Sequence, residues 1–453
     1  MLNLLDQPIG AISAQLADGK LKAQELIEAA QACYDPKLNG YVSWAPDFAR
    51  QQAAAADAAF ASGNRLGALQ GIPISVKDLY GVASLPTFAG SPRALPLEWR
   101  REGWLVRRFR DQLAVVMGKS HTVEFAFGGL GVSAHWPIPW NPQNRKVHYS
   151  PGGSSSGAGV TLGEGTALLA LGTDTGGSVR IPASVTGHVG LKTTIGRWPT
   201  SGIVPLSTTF DTPGVLARSA ADAAFAFESI DGEHVPTLDD LGGLRLAVAE
   251  PFFWDGAAPG VAERAQEALR LLEAAGAMTR DLALAGSAEV YELYRSGGIV
   301  STELYAFLSR DLPAWIETLD PRVCKRMEAG SALPAWEYIQ RRNRYAALAQ
   351  GAAAALEGID ALVCPTVPIS PPPIAEVTDD AYTGINLRML RNTCVVNFLG
   401  LCAVTLPVGR DQVGMPVGLQ LTGRPGAEAR LLAIARAIER LLKRKDVWDS
   451  PAI

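Results

Sequence analysis

The sequence predicts an α/β protein built in layers, and three observations carry that expectation. Segments with apolar residues at helical spacing alternate along the chain with short β-like runs. The chain has 453 residues, 47% of them apolar and 19% charged, enough to bury a large core without disulfide or metal staples. Residues 150–214 are dense in Gly, Ser and Thr and poor in charge, yet are interleaved with apolar segments (166–172 and 185–191) that a flexible linker would lack. That stretch therefore reads as buried, tightly turning backbone.

The elements follow in order. In residues 20–34, Ala23, Leu26, Ile27, Ala30 and Cys33 recur every three or four positions and predict a helix. The Ala-rich run 51–61 predicts a second. Gly71-Ile-Pro-Ile-Ser-Val-Lys77-Asp78 breaks the helical pattern and reads as a strand delivering Lys77 at its end. Residues 244–249 read as a strand. Residues 261–275 read as a helix with Val261, Ala265, Ala268, Leu269 and Leu272 inward. Residues 359–365 read as a strand running into a proline-rich loop, and 404–408 with 417–421 as a hairpin around Gly414-Met-Pro. A last helix is expected over 426–445, with Leu431, Ile434, Ala435, Ile438 and Leu442 on its buried face. No internal repeat and no domain boundary is visible, although ~150 residues per domain would suggest about three. Residues 231–241 are the expected surface excursion.

The net charge of −4 and a pI near 5.9 give no electrostatic reason to expect nucleic acid or an anionic membrane as partner. The arginines at 100, 101, 107, 108 and 110 and the basic residues 443–445 read as solvated helix faces. Five cysteines without C-x-x-C spacing argue against a disulfide framework or zinc ribbon and suit a reducing cytoplasm. Residues 1–10 lack a basic leader pattern, and no run of about 18 residues is purely apolar, so neither a signal peptide nor a spanning helix is expected. No cofactor and no metal are expected.

Three short segments concentrate the residues that do chemistry. They are Ile74-Ser-Val-Lys77-Asp78, Ser150-Pro-Gly-Gly-Ser154-Ser155-Ser156-Gly-Ala-Gly159, and Gly172-Thr-Asp174-Thr175-Gly176-Gly177-Ser178-Val-Arg180-Ile-Pro182. A hydroxyl after two glycines lets a ligand approach the main chain closely, and successive amides there can converge on an oxyanion. Asp174 and Arg180 flank that turn with opposite charges and could brace it. A serine nucleophile needs a base. The five histidines are scattered with no adjacent carboxylate motif, whereas Lys77 sits among apolar neighbours that would depress its pKa. The loop at 150–159 lacks the Gly-Lys-Ser/Thr ending of a phosphate loop.

These segments resemble the amidase signature hydrolases. The likeness extends through Gly190-Leu-Lys192, Glu124-Phe-Ala126, Phe210-Asp-Thr-Pro-Gly214 with Ala217-Arg218-Ser219, and Pro407-Val-Gly409 with Gly414-Met-Pro-Val-Gly-Leu-Gln420. It covers nearly the whole chain. The 24-residue spacing from Ser154 to Ser178 matches the family pattern. Departures are Ser156 where glycine is usual, Ala158-Gly159 in the following turn, Thr186-Gly187 for a common Cys-Gly, and Thr193 for a proline.

The resemblance implies a single α/β/α layered domain around a large mixed β-sheet, spanning 1–453. Within it, about 1–65 would be the helical N-terminal portion, 66–220 the catalytic core, and 221–453 the surface excursion and remaining α/β portion. It implies Ser178 as nucleophile, Ser154 as bridging serine behind a cis Gly153–Ser154 bond, and Lys77 as base. Thr175, Gly176, Gly177 and Ser178 would form the oxyanion hole, with Ser155, Asp174 and Arg180 in support. The activity implied is hydrolysis of small-molecule amides through an acyl-enzyme. Phe127, Gly128, Gly129, Trp136 and Trp198 are the expected pocket residues, suiting aryl amides, anilides or carbamates, with ordinary core or lid packing as their alternative. The rival functions are the glutaminase component of a tRNA-dependent amidotransferase and a non-catalytic binding protein of the same fold. A homodimer is left open.

Overall fold

The computed structural model describes residues 4–448. Residues 1–3, part of the segment read for a leader, and the extreme ends of the 1–453 span lie outside the described residues.

Among the described residues, eleven strands form one mixed sheet: β1 (Tyr41–Trp44), β2 (Pro73–Lys77), β3 (Val115–Ser120), β4 (Leu169–Asp174), β5 (Val189–Lys192), β6 (Thr212–Ala217), β7 (Arg245–Ala249), β8 (Met278–Leu282), β9 (Ala361–Pro365), β10 (Cys402–Arg410) and β11 (Pro416–Gly423). Their order is β1-β3-β2-β4-β6-β5-β10-β11-β9-β7-β8. β2 runs parallel to both β3 and β4, and β7 runs parallel to β8 and β9. The remaining pairs are antiparallel, including the expected hairpin, in which Val404 faces Leu421 across the β10–β11 ladder.

Every residue of β2, β4 and β6 is buried, so both faces of the sheet centre are covered. Side chains alternate between the two faces along β4. Leu169 and Leu171 enter the main core with Ala220, Ala223 and Phe227 of the helix Ala220–Asp231. Ala170 turns the other way, onto Ala158, Leu162 and Ala183 of the helices Ala158–Glu164 and Arg180–Thr186. The expected helix near the C-terminus runs Glu428–Arg444 with its apolar stripe inward, and Lys443 and Arg444 in its last turn complement the helix dipole.

Between β8 and β9 the chain leaves the sheet for a group of helices that the sequence reading did not assign. They are Ser287–Arg295, Ile299–Asp311, Pro313–Ile316, Pro321–Ser331 and Ala335–Ala355. Local signals start one of them: the Asp320 carboxylate accepts from the Arg322 amide at 2.9 Å, and Pro321 occupies the first turn. The long helix Asp379–Phe398 begins at Thr378, whose hydroxyl accepts from Ala381 N, with Asp379 and Asp380 in its first turn. Its far end carries buried Asn392, Thr393 and Asn397 beneath the Gly-rich turn after β4.

Candidate active site

The parallel register of β2 and β4 builds the site. Ile74 pairs with Leu169 and Val76 with Leu171, so both strands end at the same edge. Lys77 closes β2 there, beside the last residues of β4. Its Nζ donates to Thr173 Oγ1 at 2.8 Å and to Ser154 Oγ at 2.8 Å. Lys77 is fully buried. Burial pulls its pKa down, the nearby Asp211 and Asp174 carboxylates pull it partly back, and it settles at about 7.

Ser154 reaches Lys77 from the loop before the helix Ala158–Glu164. The Gly153–Ser154 peptide bond is cis, as the resemblance implies. The next residue ties this loop to the turn that carries Ser178: Ser155 N donates to the carbonyl of Ser178 at 3.2 Å, and its hydroxyl reaches Thr173 O at 3.4 Å. Asp78, after Lys77, forms a buried ion pair with Lys119 at 2.8 Å and accepts the Phe88 and Ala89 amides. These contacts pin the end of β2.

Asp174 and Arg180 brace the turn that carries Ser178. Arg180 Nε and Nη2 meet the two Asp174 oxygens at 3.1 and 2.9 Å, and Nη1 donates to Gln420 Oε1 at 2.6 Å. Nη2 also reaches Thr393 O and Asn397 Oδ1. Burial alone would raise the Asp174 carboxyl. Arg180, Lys192 and Asn397 more than offset that and hold it well below the usual carboxylate range. Gly177 has φ 132, and a side chain there would collide with Thr393, so this position requires glycine on both counts.

The structure corrects one of the four expected oxyanion donors. Gly177 N already donates to Asp174 Oδ1 at 2.8 Å. Its amide serves the brace, while Thr175, Gly176 and Ser178 line the crevice beside the cavity. Thr175 is held by its hydroxyl, 2.5 Å from Asp211 Oδ1, and Gly176 by its carbonyl, which accepts from Thr393 Oγ1 at 2.7 Å. The Asp211 carboxylate also caps the Leu206 and Ser207 amides.

The crevice opens towards a cavity of about 420 Å³, within the usual range for a small-molecule site. Phe127 lines both spaces, and Gly128 lines the crevice. Phe125 and Ala126 take positive φ, an uncommon conformation outside glycine that turns the chain just ahead of Phe127. The other expected pocket residues lie elsewhere. Gly129 sits one step back, its amide bonded to Asn386 Oδ1. Trp136 donates to Ser91 O and packs edge-on against Phe88 and His121. Trp198 is fully buried after β5, its indole bonded to Asp231 and stacked on Phe227. Of the two readings of these tryptophans, packing is the one their contacts describe.

The aromatic wall is instead Phe127, Tyr294, Tyr345, Tyr382 and Phe398, joined by Arg326. Tyr294, Arg326 and Tyr345 come from the helices between β8 and β9, and the sequence reading missed them. Asp320-Pro321 announces the helix carrying Arg326, but nothing local says which space that helix faces. Burial lowers His121 to about 4 and, with Arg218 contributing, His188 to about 3. Both therefore stay neutral at ordinary pH.

Comparison with known proteins agrees with this architecture. The amidase family profile matches residues 24–432. The chain is 48% identical to the 2-amino-5-chloromuconic acid deaminase of Comamonas testosteroni over 438 residues, 95% of each protein. It is 30% identical to a glutamyl-tRNA(Gln) amidotransferase subunit of Geobacter metallireducens, covering 97% of this chain and 98% of that one. A solved amidase structure superposes with a TM-score of 0.87 at 30% identity, covering 96% of this chain and 99% of the other. The chain belongs to the amidase family and is a hydrolase of amide-type C–N bonds.

Proposed function

We propose that the chain is a stand-alone amidase that cleaves small-molecule amides with Ser178 as nucleophile, Ser154 as proton relay and Lys77 as base. The observation that carries this reading is the 2.8 Å contact from a fully buried Lys77 amine to Ser154 Oγ, with that amine titrating at about 7. A neutral amine accepts a proton, and burial is what makes it neutral near physiological pH.

In the proposed cycle Lys77 takes the Ser154 proton as Ser154 takes that of Ser178, whose oxygen attacks the carbonyl carbon. The amides of Thr175, Gly176 and Ser178 stabilise the oxyanion, and one such donor is typically worth ~10²–10³ in rate. The relay returns a proton to the leaving nitrogen, the C–N bond breaks, and the amine departs. Water, deprotonated by the same relay, then attacks the acyl-enzyme and releases the acid.

The stand-alone reading draws on the more similar relative, whose name describes deamination of a free small acid; the amidotransferase relative is more distant. The aromatic cavity wall suits a planar, unsaturated acyl group, and carbamates belong to the same proposal. One catalytic domain spans the chain in this reading, supported by a single sheet with strands from residue 41 to residue 423. A reducing cytoplasm suits the five unpaired cysteines.

A fluorophosphonate should label the protein stoichiometrically on Ser178. Ser178→Ala should abolish both labelling and amide hydrolysis while keeping the melting temperature. Labelling of Ser178→Ala at the wild-type rate would rule this nucleophile out.

A further inference from the structure

The cavity beside Ser178 contains a guanidinium, that of Arg326, which forms no ion pair with any carboxylate of the described residues, although Asp379 and Asp380 also line the cavity. Its cationic neighbours are accounted for differently. Arg295 pairs with Glu292 at 2.7 Å, Arg322 pairs with Asp379 at 2.9 Å, and Lys325 is exposed. Arg326 is partly buried and lines both the cavity and the crevice that holds Thr175, Gly176 and Ser178.

Its position is fixed by neutral groups. Nη1 donates to the Phe127 carbonyl at 2.7 Å, the guanidinium lies 3.9 Å from the centre of the Phe127 ring, and Nη2 is 3.4 Å from the Tyr294 hydroxyl. A guanidinium has five donors in a planar fork, so donors remain for a planar anion. A partly buried charge without a counter-charge is unfavourable, and an incoming carboxylate supplies one with paired, charge-assisted hydrogen bonds.

We propose that Arg326 is the subsite for a free carboxylate of the substrate, so that the enzyme selects small C–N compounds that are also carboxylic acids. The assignment rests on Ser178 being the reacting residue, because only then does the shared crevice place the guanidinium beside the scissile bond. The helix Pro321–Ser331 thus reads the substrate while the turn after β4 does the chemistry.

The test compares matched substrates differing only in that group: succinamate against butanamide, and glutaramate against pentanamide. The wild-type kcat/KM should favour the acidic member of each pair by roughly 10- to 100-fold, the usual worth of hydrogen bonds to a charged group. Arg326→Met should collapse that ratio to within about threefold, and Arg326→Lys should retain part of it. A wild-type ratio near one, or a ratio that survives in Arg326→Met, would overturn the proposal.

Calorimetric binding of succinate and of butanamide to Ser178→Ala reads the subsite without turnover. Succinate should bind at least about tenfold more tightly than to Ser178→Ala/Arg326→Met, and equal binding would count against the proposal. Residual hydrolysis by Ser178→Ala would refute the nucleophile and leave the binding result to judge Arg326 separately.

Discussion

In the proposed cycle Lys77 is the residue on which the pH behaviour turns. Its protonated form cannot accept a proton, so below its pKa of about 7 the log of kcat/KM should rise with unit slope and then level above it. Asp211 should set where that bend falls. Its carboxylate is the largest electrostatic influence holding the Lys77 value up, and it also clamps Thr175. Removing that anion favours the neutral amine, so Asp211→Asn should move the acid limb to lower pH even as the rate drops through the loosened turn. Asp211 titrates at about 6, chiefly because it is buried, so the comparison is cleanest above that pH, where it is charged. A pH–rate profile of the variant superimposable on wild type would contradict this role.

Among the elements, the short helix Arg180–Thr186 carries more than its length suggests. Through Arg180 it joins the end of β4 at Asp174, β11 at Gln420 and the helix Asp379–Phe398 at Thr393 and Asn397. Arg180→Met would strand the Asp174 carboxylate without its counter-charge. The expected loss is ~3–5 kcal/mol, read as a lower urea midpoint. A midpoint within error of wild type would show that the network is dispensable.

Elements with regular apolar spacing were legible in the sequence. The helices Ala23–Ala32, Val261–Ala274 and Glu428–Arg444, and the β10–β11 hairpin, all lie where periodicity placed them, with ends shifted by a few residues. The run of helices from Ser287 to Ala355 was not, because much of its surface faces solvent or the cavity. The helix Ala335–Ala355 buries only Tyr345, Leu348 and Ala352. Trp136 and Trp198 illustrate a different failure: closeness in sequence to a reactive segment says little about which side of a loop an indole occupies. The Gly177 amide could be assigned only once Asp174 was seen curling back beneath it.

Across the whole molecule, stability should be unevenly distributed. The centre of the sheet, where β2, β4 and β6 are buried on both faces, carries Lys77 and leads into the turn that bears Ser178. The helices between β8 and β9 that wall part of the cavity are exposed along much of their length. Native-state hydrogen exchange should therefore leave amides of β4 and β6 protected to the global unfolding limit. Those in residues 287–332 should exchange through smaller openings, at least about tenfold faster. Uniform protection across both regions would mean that wall and sheet open as one unit.

Half of the wall, Tyr294, Arg326 and Tyr345, enters the chain in one contiguous excursion between β8 and β9, and no strand lies within it. Its helices bring Tyr294, Arg326 and Tyr345 to the cavity, while Lys77 meets Ser154 at the end of β2. If the proposed roles hold, a share of substrate selection is thus written in a passage of the polypeptide separate from the reacting residues. Grafting the corresponding passage from a relative with other tastes offers a way to retarget the enzyme while its hydrolytic engine stays untouched.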